Sequence, residues 1–136
     1  MELFKKNNGI VAGCFDLIHP GYIKLFQFCK KNCTTLTIAL HKNPQKERKN
    51  KHLPFHSLKE RKLILSSLIY IDQIVTYNTE DDLISIMSKN IYDIRFLDEN
   101  YKNKKFTGYQ LPIKIKWVPR KHNYSTSNLI KSIKNA

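Results

Sequence analysis

Short apolar runs alternate along this chain with stretches whose apolar residues recur every three or four positions. Residues 9–15 (GIVAGCF) and 34–40 (TTLTIAL) are nearly continuous apolar or β-branched runs, the pattern of strands buried on both faces. Residues 73–77 (QIVTY), 93–97 (DIRFL) and 114–118 (KIKWV) predict three more strands. Between them the period changes to that of a helix. Residues 21–31 follow a proline suited to a first helical turn and carry Ile23 and Phe26. Ser57 and Glu60 form a capping box ahead of a helix with Leu58, Leu65, Leu68 and Ile69 inward. Residues 80–89 place Leu83, Ile84 and Met87 on one side, and Ser125 caps a last helix bearing Leu129, Ile130 and Ile133.

Alternating strands and helices predict an α/β fold: a parallel sheet with helices on both faces. Ligands in such sheets bind beyond the carboxyl ends of the strands, where strand order reverses. The first strand runs directly into Asp16-Leu-Ile-His19, so His19 is expected at that crevice. The 136 residues fit one domain, 1–136, long enough to bury roughly 68% of its unfolded surface. No apolar run reaches the ~20 residues of a membrane span, and the first residues lack a leader-type apolar stretch. Cys14, Cys29 and Cys33 lack partner ligands at zinc spacing, which fits reduced thiols and a cytoplasmic location.

The net charge of +13 changes the picture more than the composition does. It favours anionic partners: nucleic acid, anionic lipid or phosphorylated small molecules. Its densest block, residues 42–51 (KNPQKERKNK), has the character of a solvated loop. At the opening GCFDLIHPGY, Gly13 permits close backbone approach. His19 stands before a helix N-terminus, and Gly21 leaves room there for a phosphate-bearing ligand. Judged by spacing alone, a loop histidine and a turn glycine are the favoured reading.

Three blocks bear on that choice. GCFDLIHPGY resembles the G-x-F-D-x-x-H-x-G-H signature of the cytidylyltransferase-like nucleotidyltransferases, among them glycerol-3-phosphate cytidylyltransferase and the nucleotidyltransferase domain of ADP-heptose synthesis. RKHNYSTSNLI, from Arg120, resembles that family's R-x-x-x-x-S-T-[ST]-x-x-I element. Ser57-Leu-Lys-Glu-Arg61 followed by YIDQIVTY is a weaker match to its E-R…V-D-x-V pattern. The blocks occur in family order across nearly the whole chain. The resemblance implies a Rossmann-like, five-stranded sheet of order 3-2-1-4-5.

It also implies a reaction. An acceptor phosphate would attack the α-phosphorus of a nucleoside triphosphate and release pyrophosphate, with Mg²⁺ bridging the phosphates. Gly13, Cys14 and Phe15 would lie along the nucleotide, and His19, Gly21 and Tyr22 would meet the triphosphate. Arg120, Ser125, Thr126 and Ser127 would cradle its outer phosphates. Lys42 would serve phosphate or acceptor, and Arg61 the acceptor. His19, Tyr22, Lys42 and Arg120 are thus the expected catalytic set. CTP with glycerol 3-phosphate is the favoured pair, an ATP-using adenylyltransferase the alternative, and a homodimer the implied assembly.

Tyr22 breaks the pattern, because the family has histidine there. A phenol titrates near pH 10 and donates only as a neutral group. Losing one well-placed donor typically costs ~3–4 kcal/mol of barrier. Tyr22 could donate directly, or His41, Lys42 or His122 could substitute. The third outcome is a protein that binds nucleotide, or nucleic acid through segments such as YKNKKFTGYQ, without turnover.

Overall fold

The computed structural model describes residues 7–44 and 53–136. Most of the basic block, residues 45–51, lies outside the described residues. Five strands form one parallel sheet: β1 (Asn8–Gly13), β2 (Thr35–His41), β3 (Gln73–Tyr77), β4 (Ile94–Asp98) and β5 (Lys114–Val118). Their order is β3-β2-β1-β4-β5, the expected one, and the fold is a Rossmann-like α/β sheet. The strands are joined or followed by α1 (Pro20–Lys31), α2 (Leu58–Ser66), α3 (Glu80–Met87) and α4 (Thr126–Lys134). The chain builds outward from β1 to β3, then returns to place β4 on the other side of β1. The order therefore reverses between β1 and β4, and a crevice opens over their carboxyl ends.

Alternation along each strand explains the apolar runs. Val11, Ile38, Leu40 and Phe96 face α1 and α2, packing with Phe26, Cys29 and Leu65. Ile10, Ala39 and Tyr77 face α3, packing with Leu83 and Met87. Both faces of the central strands β1 and β2 are covered, so both halves of their alternation are largely apolar, whereas the edge strand β5 exposes Lys114 and Lys116. Phe26 is fully buried, and burial of such a side chain contributes roughly 1.5–3 kcal/mol.

Three helix starts follow from local chemistry. Ser57 and Glu60 make the reciprocal capping box read from the sequence, Thr79 and Asp82 make a second, and Ser125 caps α4. The differences from expectation lie at element ends. β1 stops at Gly13, because Phe15 and Leu17 adopt φ of 50° and 52°. That left-handed backbone is rare for residues with a side chain and turns the chain sharply toward α1. Ile69 is 86% exposed because α2 ends at Ser66, and Ile133 is 62% exposed on a helix with no buried residue. Cys33 lies past the end of α1 and donates its thiol hydrogen to the Cys29 carbonyl. Among the described residues Cys14, Cys29 and Cys33 form no disulfide, and no helix is long and apolar enough to cross a membrane.

Candidate active site

A cleft of about 640 Å³ occupies the crevice over β1 and β4. It has two arms. One is built by the start of α1, the end of β5 and the start of α4, and the other lies toward α3 and the segment after β4.

In the first arm His19 is the N-cap of α1. The Gly21 N–H donates to His19 Nδ1 at 3.1 Å. A nitrogen that accepts carries no proton, so the neutral ring holds its hydrogen on Nε2. That Nε2 is buried and has no hydrogen-bond partner among the described residues. Burial lowers the His19 pKa below its usual value, and the positive charges of His122 and Arg120 act in the same direction. His19 is thus a neutral donor whose tautomer is fixed by the helix it caps. Leaving such a donor buried and unmet costs about 1–3 kcal/mol, a cost that a ligand oxygen would remove.

The Tyr22 ring stacks on His19, with centroids 4.3 Å apart, and meets Phe15 edge-on at 5.5 Å. Its hydroxyl pairs with Thr126 Oγ1 at 3.0 Å. Thr126 Oγ1 in turn donates to the Asp16 carbonyl at 3.3 Å. A threonine hydroxyl has one hydrogen, so in this chain of bonds Tyr22 donates to Thr126. Burial raises the phenol pKa, which keeps that hydrogen in place. Tyr22 therefore ties the start of α1 to the start of α4, and its donor is already committed.

Gly21 is a steric requirement at this junction. A Cβ there would lie 2.8 Å from His19 Cε1, 2.8 Å from Tyr124 Cβ and 2.9 Å from His122 Cε1. Two imidazoles thus flank one glycine. His122 Nδ1 accepts from the Tyr124 N–H at 3.1 Å, which likewise leaves the hydrogen of the neutral ring on Nε2. His122 is the one of the three proposed substitutes that the fold brings against His19.

Arg120 follows β5. Its guanidinium lies 3.5 Å from Asp98 and donates to the Tyr124 carbonyl, while its backbone N–H donates to Glu99. At the start of α4, Asn128 N–H donates to Ser125 Oγ. The N–H groups of Thr126 and Ser127 meet no acceptor among the described residues. They carry the partial positive charge of the helix end. Gly13, Cys14 and Phe15 line the floor of the same cleft.

Two expected residues fall elsewhere. Arg61 is 2% exposed and does not line the cleft. Its guanidinium donates to the carbonyls of Cys14, His41, Lys42 and His56, at 2.7–3.2 Å. It braces the ends of β1 and β2 with four of its five N–H groups and lies away from the cleft. Lys42 is the first residue past β2. Its backbone is held by Tyr77 and Arg61, and its exposed side chain acts on Asp82 at the start of α3, outside the cleft. His41, by contrast, is buried edge-on against Tyr77 and lines the cleft. Asp16 supports the site from below: its carboxylate accepts from the Phe55 and His56 N–H groups.

The second arm holds Glu80, expected at the start of a helix, Arg95, expected in a strand, and Lys105 and Phe106, from the segment offered for nucleic acid. Arg95 had a signal: a cation between the apolar residues Ile94 and Phe96 of a strand.

Comparison with known proteins agrees with this geometry. The cytidylyltransferase-like family profile matches residues 10–132. The bifunctional protein HldE of Campylobacter concisus is 27% identical over 133 residues, covering 97% of this chain and 28% of that protein. HldE of Helicobacter pylori strain J99 is 32% identical over 138 residues, covering 98% and 30%. The chain thus spans less than a third of the length of these relatives. Among solved structures, a lipopolysaccharide core biosynthesis protein from Thermoplasma volcanium shares the fold. Its TM-score is 0.68 at 22% identity, over 89% of this chain and all of that one. The profile match spans most of the residues, including both blocks that build the His19 arm, and the chain belongs to the cytidylyltransferase-like family of nucleotidyltransferases.

Proposed function

We propose that this chain transfers the nucleoside monophosphate of a magnesium-bound triphosphate, ATP, to the phosphate of a phosphorylated sugar. The observation that carries this reading is the partnerless Nε2–H of His19, set between two helix N-termini and beside Arg120. A neutral donor, a guanidinium and two open amides in one crevice suit a polyanion. The magnesium ion enters with the nucleotide as part of the substrate. Among the described residues no three metal-ligating side chains gather, so the fit is to an ion carried by phosphate oxygens.

An oxygen of the acceptor phosphate attacks the α-phosphorus and forms the new P–O bond. The bond from the α-phosphorus to the bridging oxygen breaks, and its electron pair leaves with pyrophosphate. No proton need move when the acceptor phosphate is fully ionised. The chain's contribution is therefore position and charge. His19 Nε2–H donates to a phosphate oxygen as charge grows there. Arg120 and the amides of Thr126 and Ser127 hold the departing phosphates.

The choice of ATP and a sugar rests on two points. Gly13-Cys-Phe-Asp16 resembles the opening of the heptose-phosphate adenylyltransferases, and the HldE relatives align over nearly all of this chain. Together they support ATP with a phosphorylated sugar over CTP with glycerol 3-phosphate. A pyrophosphate-release assay tests this with four nucleoside triphosphates, each paired with sugar 1-phosphates and glycerol 3-phosphate. Release with ATP and a sugar 1-phosphate is expected. Release only with CTP and glycerol 3-phosphate would reverse the choice, and no release with any pair would end the enzymatic reading.

A further inference from the structure

The second arm of the cleft contains a buried cation that makes no ion-pair contact among the described residues. Arg95 lies in β4 between Ile10 of β1 and Ile115 of β5. It is 4% exposed, yet its side chain lines the cleft. Among the described residues one of its five N–H groups is engaged, by the Thr107 carbonyl. Its planar face lies 5.4 Å from the centre of the Phe106 ring. Among the described residues no carboxylate forms an ion pair with it. Glu80 and Tyr77 act on it only through space.

A guanidinium is among the costliest groups to bury, and proteins normally bury it beside an anion or a full set of acceptors. Arg61 has such a set and Arg95 does not. The surroundings of Arg95 are nevertheless built around it. Gly108 adopts φ of +79°, and a Cβ there would lie 2.9 Å from Met87 and 3.3 Å from Arg95 Nη1. The turn after Phe106 is thus shaped to let the guanidinium through. Lys105 adds a second cation to the same arm.

We infer that Arg95, with Lys105, forms a subsite for a phosphate monoester, the phosphate of the acceptor in the transfer proposed above. The inference rests on that reading for the identity of the ligand, not for the existence of the site. In-line displacement needs the incoming phosphate on the side of the α-phosphorus opposite the leaving group. Two anions that must not share one cation then need two cationic arms. The sheet supplies them: Phe96 points to the α1 face, and its neighbour Arg95 to the α3 face. A planar fork matches two phosphate oxygens at once, which a lysine at the same place would not do.

The test uses inorganic phosphate as the probe, in thermal unfolding and calorimetry, with and without magnesium and a non-hydrolysable ATP analogue. Phosphate should raise the melting temperature of the wild-type chain by mass action. Arg95→Met should weaken phosphate at least tenfold, while the nucleotide analogue keeps its wild-type effect. Arg95→Lys should fall between the two. In turnover, KM for the acceptor should rise at least tenfold with KM for ATP unchanged.

Equal phosphate responses in wild type and Arg95→Met, or none in wild type, would overturn the subsite. So would a parallel loss of phosphate and nucleotide responses, which would mark Arg95 as a pin for the segment after β4. Lys105→Ala covers the case in which Arg95 variants fail to fold, because Lys105 is exposed. It should weaken phosphate about threefold to tenfold, and an unchanged response rejects the site. A normal phosphate result without any nucleotide response would leave the subsite standing and remove the nucleotidyl-transfer reading instead.

Discussion

Arg61 and Arg95 are both buried beneath the same cleft, and they are held in opposite ways. Arg61 reaches from α2 to four backbone carbonyls at the ends of β1 and β2 and around His56. Arg95 reaches from β4 to one carbonyl and one aromatic face. The first arrangement closes on itself. The second leaves donors facing a cavity. A buried charge whose partners all belong to the chain supports the fold, whereas one with donors to spare is a candidate for ligand binding. Net charge does not distinguish these cases, and neither does burial. The census of hydrogen-bond partners does.

Stability measurements break the comparison most directly. Arg61→Met strands acceptors at two strand ends and should lower unfolding free energy by about 3–5 kcal/mol. Urea titration of the variant against wild type reads this as a lower midpoint at unchanged slope. Arg95→Met exchanges a poorly partnered charge for an apolar side chain. Such exchanges are often neutral or stabilising, so its midpoint should stay within about 1 kcal/mol of wild type. Comparable losses in both variants would mean that the two arginines do the same work.

The first arm gives the next largest effect, and there the question is which role His19 plays. As N-cap of α1 it supports the helix, and as owner of Nε2–H it serves the ligand. His19→Asn separates the two. Asparagine is a good N-cap, so stability should change by less than about 1 kcal/mol. It cannot place a donor where Nε2 stands, so turnover should fall roughly 10²–10³-fold. A variant that unfolds early yet keeps its turnover would assign His19 to the helix alone.

How much of this was legible depends on the range of the interaction. Gln73–Tyr77 and Lys114–Val118 match the strand spans read from the sequence, because apolar alternation is local. Ser57 and Ser125 were legible as caps for the same reason. The early end of β1 was not, because GIVAGCF continues to read as strand while Phe15 turns left-handed to seat its ring against Tyr22 and Phe26. Nothing local marks Arg61 as buried, and only the fold shows that Cys14 and His41 come within its reach. His122 stands 103 positions beyond His19, and nothing local connects them. Of the expected site residues His19 lines the cleft, while Lys42 and Arg61, expected on the acceptor side, do not.

Tyr22 sharpens the comparison at a smaller scale, since it too is a cleft residue whose donor is committed. Tyr22→Phe removes its bond to Thr126 while keeping the stack on His19 and Phe15. The loss should be about 0.5–1.5 kcal/mol of stability and no more than roughly tenfold in turnover. A fall of 10²–10³-fold would show instead that the phenol donates to substrate. Tyr22→His gives the complementary reading. If growing phosphate charge is under-stabilised, an imidazole at this position should raise turnover. An unchanged or lower rate in a folded variant would mean that His122 already supplies the second ring.

The smallest effect is a pH dependence, and its sign follows from the His19 environment. Burial, then His122 and Arg120, lower the folded-state pKa below the unfolded 6.5. Between those two values the unfolded chain binds more protons than the folded one, so stability falls as the pH drops. The contribution is complete above about pH 6.5 and is lost as the pH falls through the lower folded value. Turnover should follow the same course, because protonating Nδ1 breaks its bond from Gly21 and converts the neutral donor to a cation. The acid limb of kcat should therefore have its inflexion below 6.5, and proton NMR of His19 should titrate with it. Removing one of the depressing charges, in His122→Ala, should move both inflexions back toward 6.5. An inflexion above 6.5 in the wild-type chain would mean that an anion outweighs burial and the neighbouring positive charge, and the polarity assigned to this arm would be wrong.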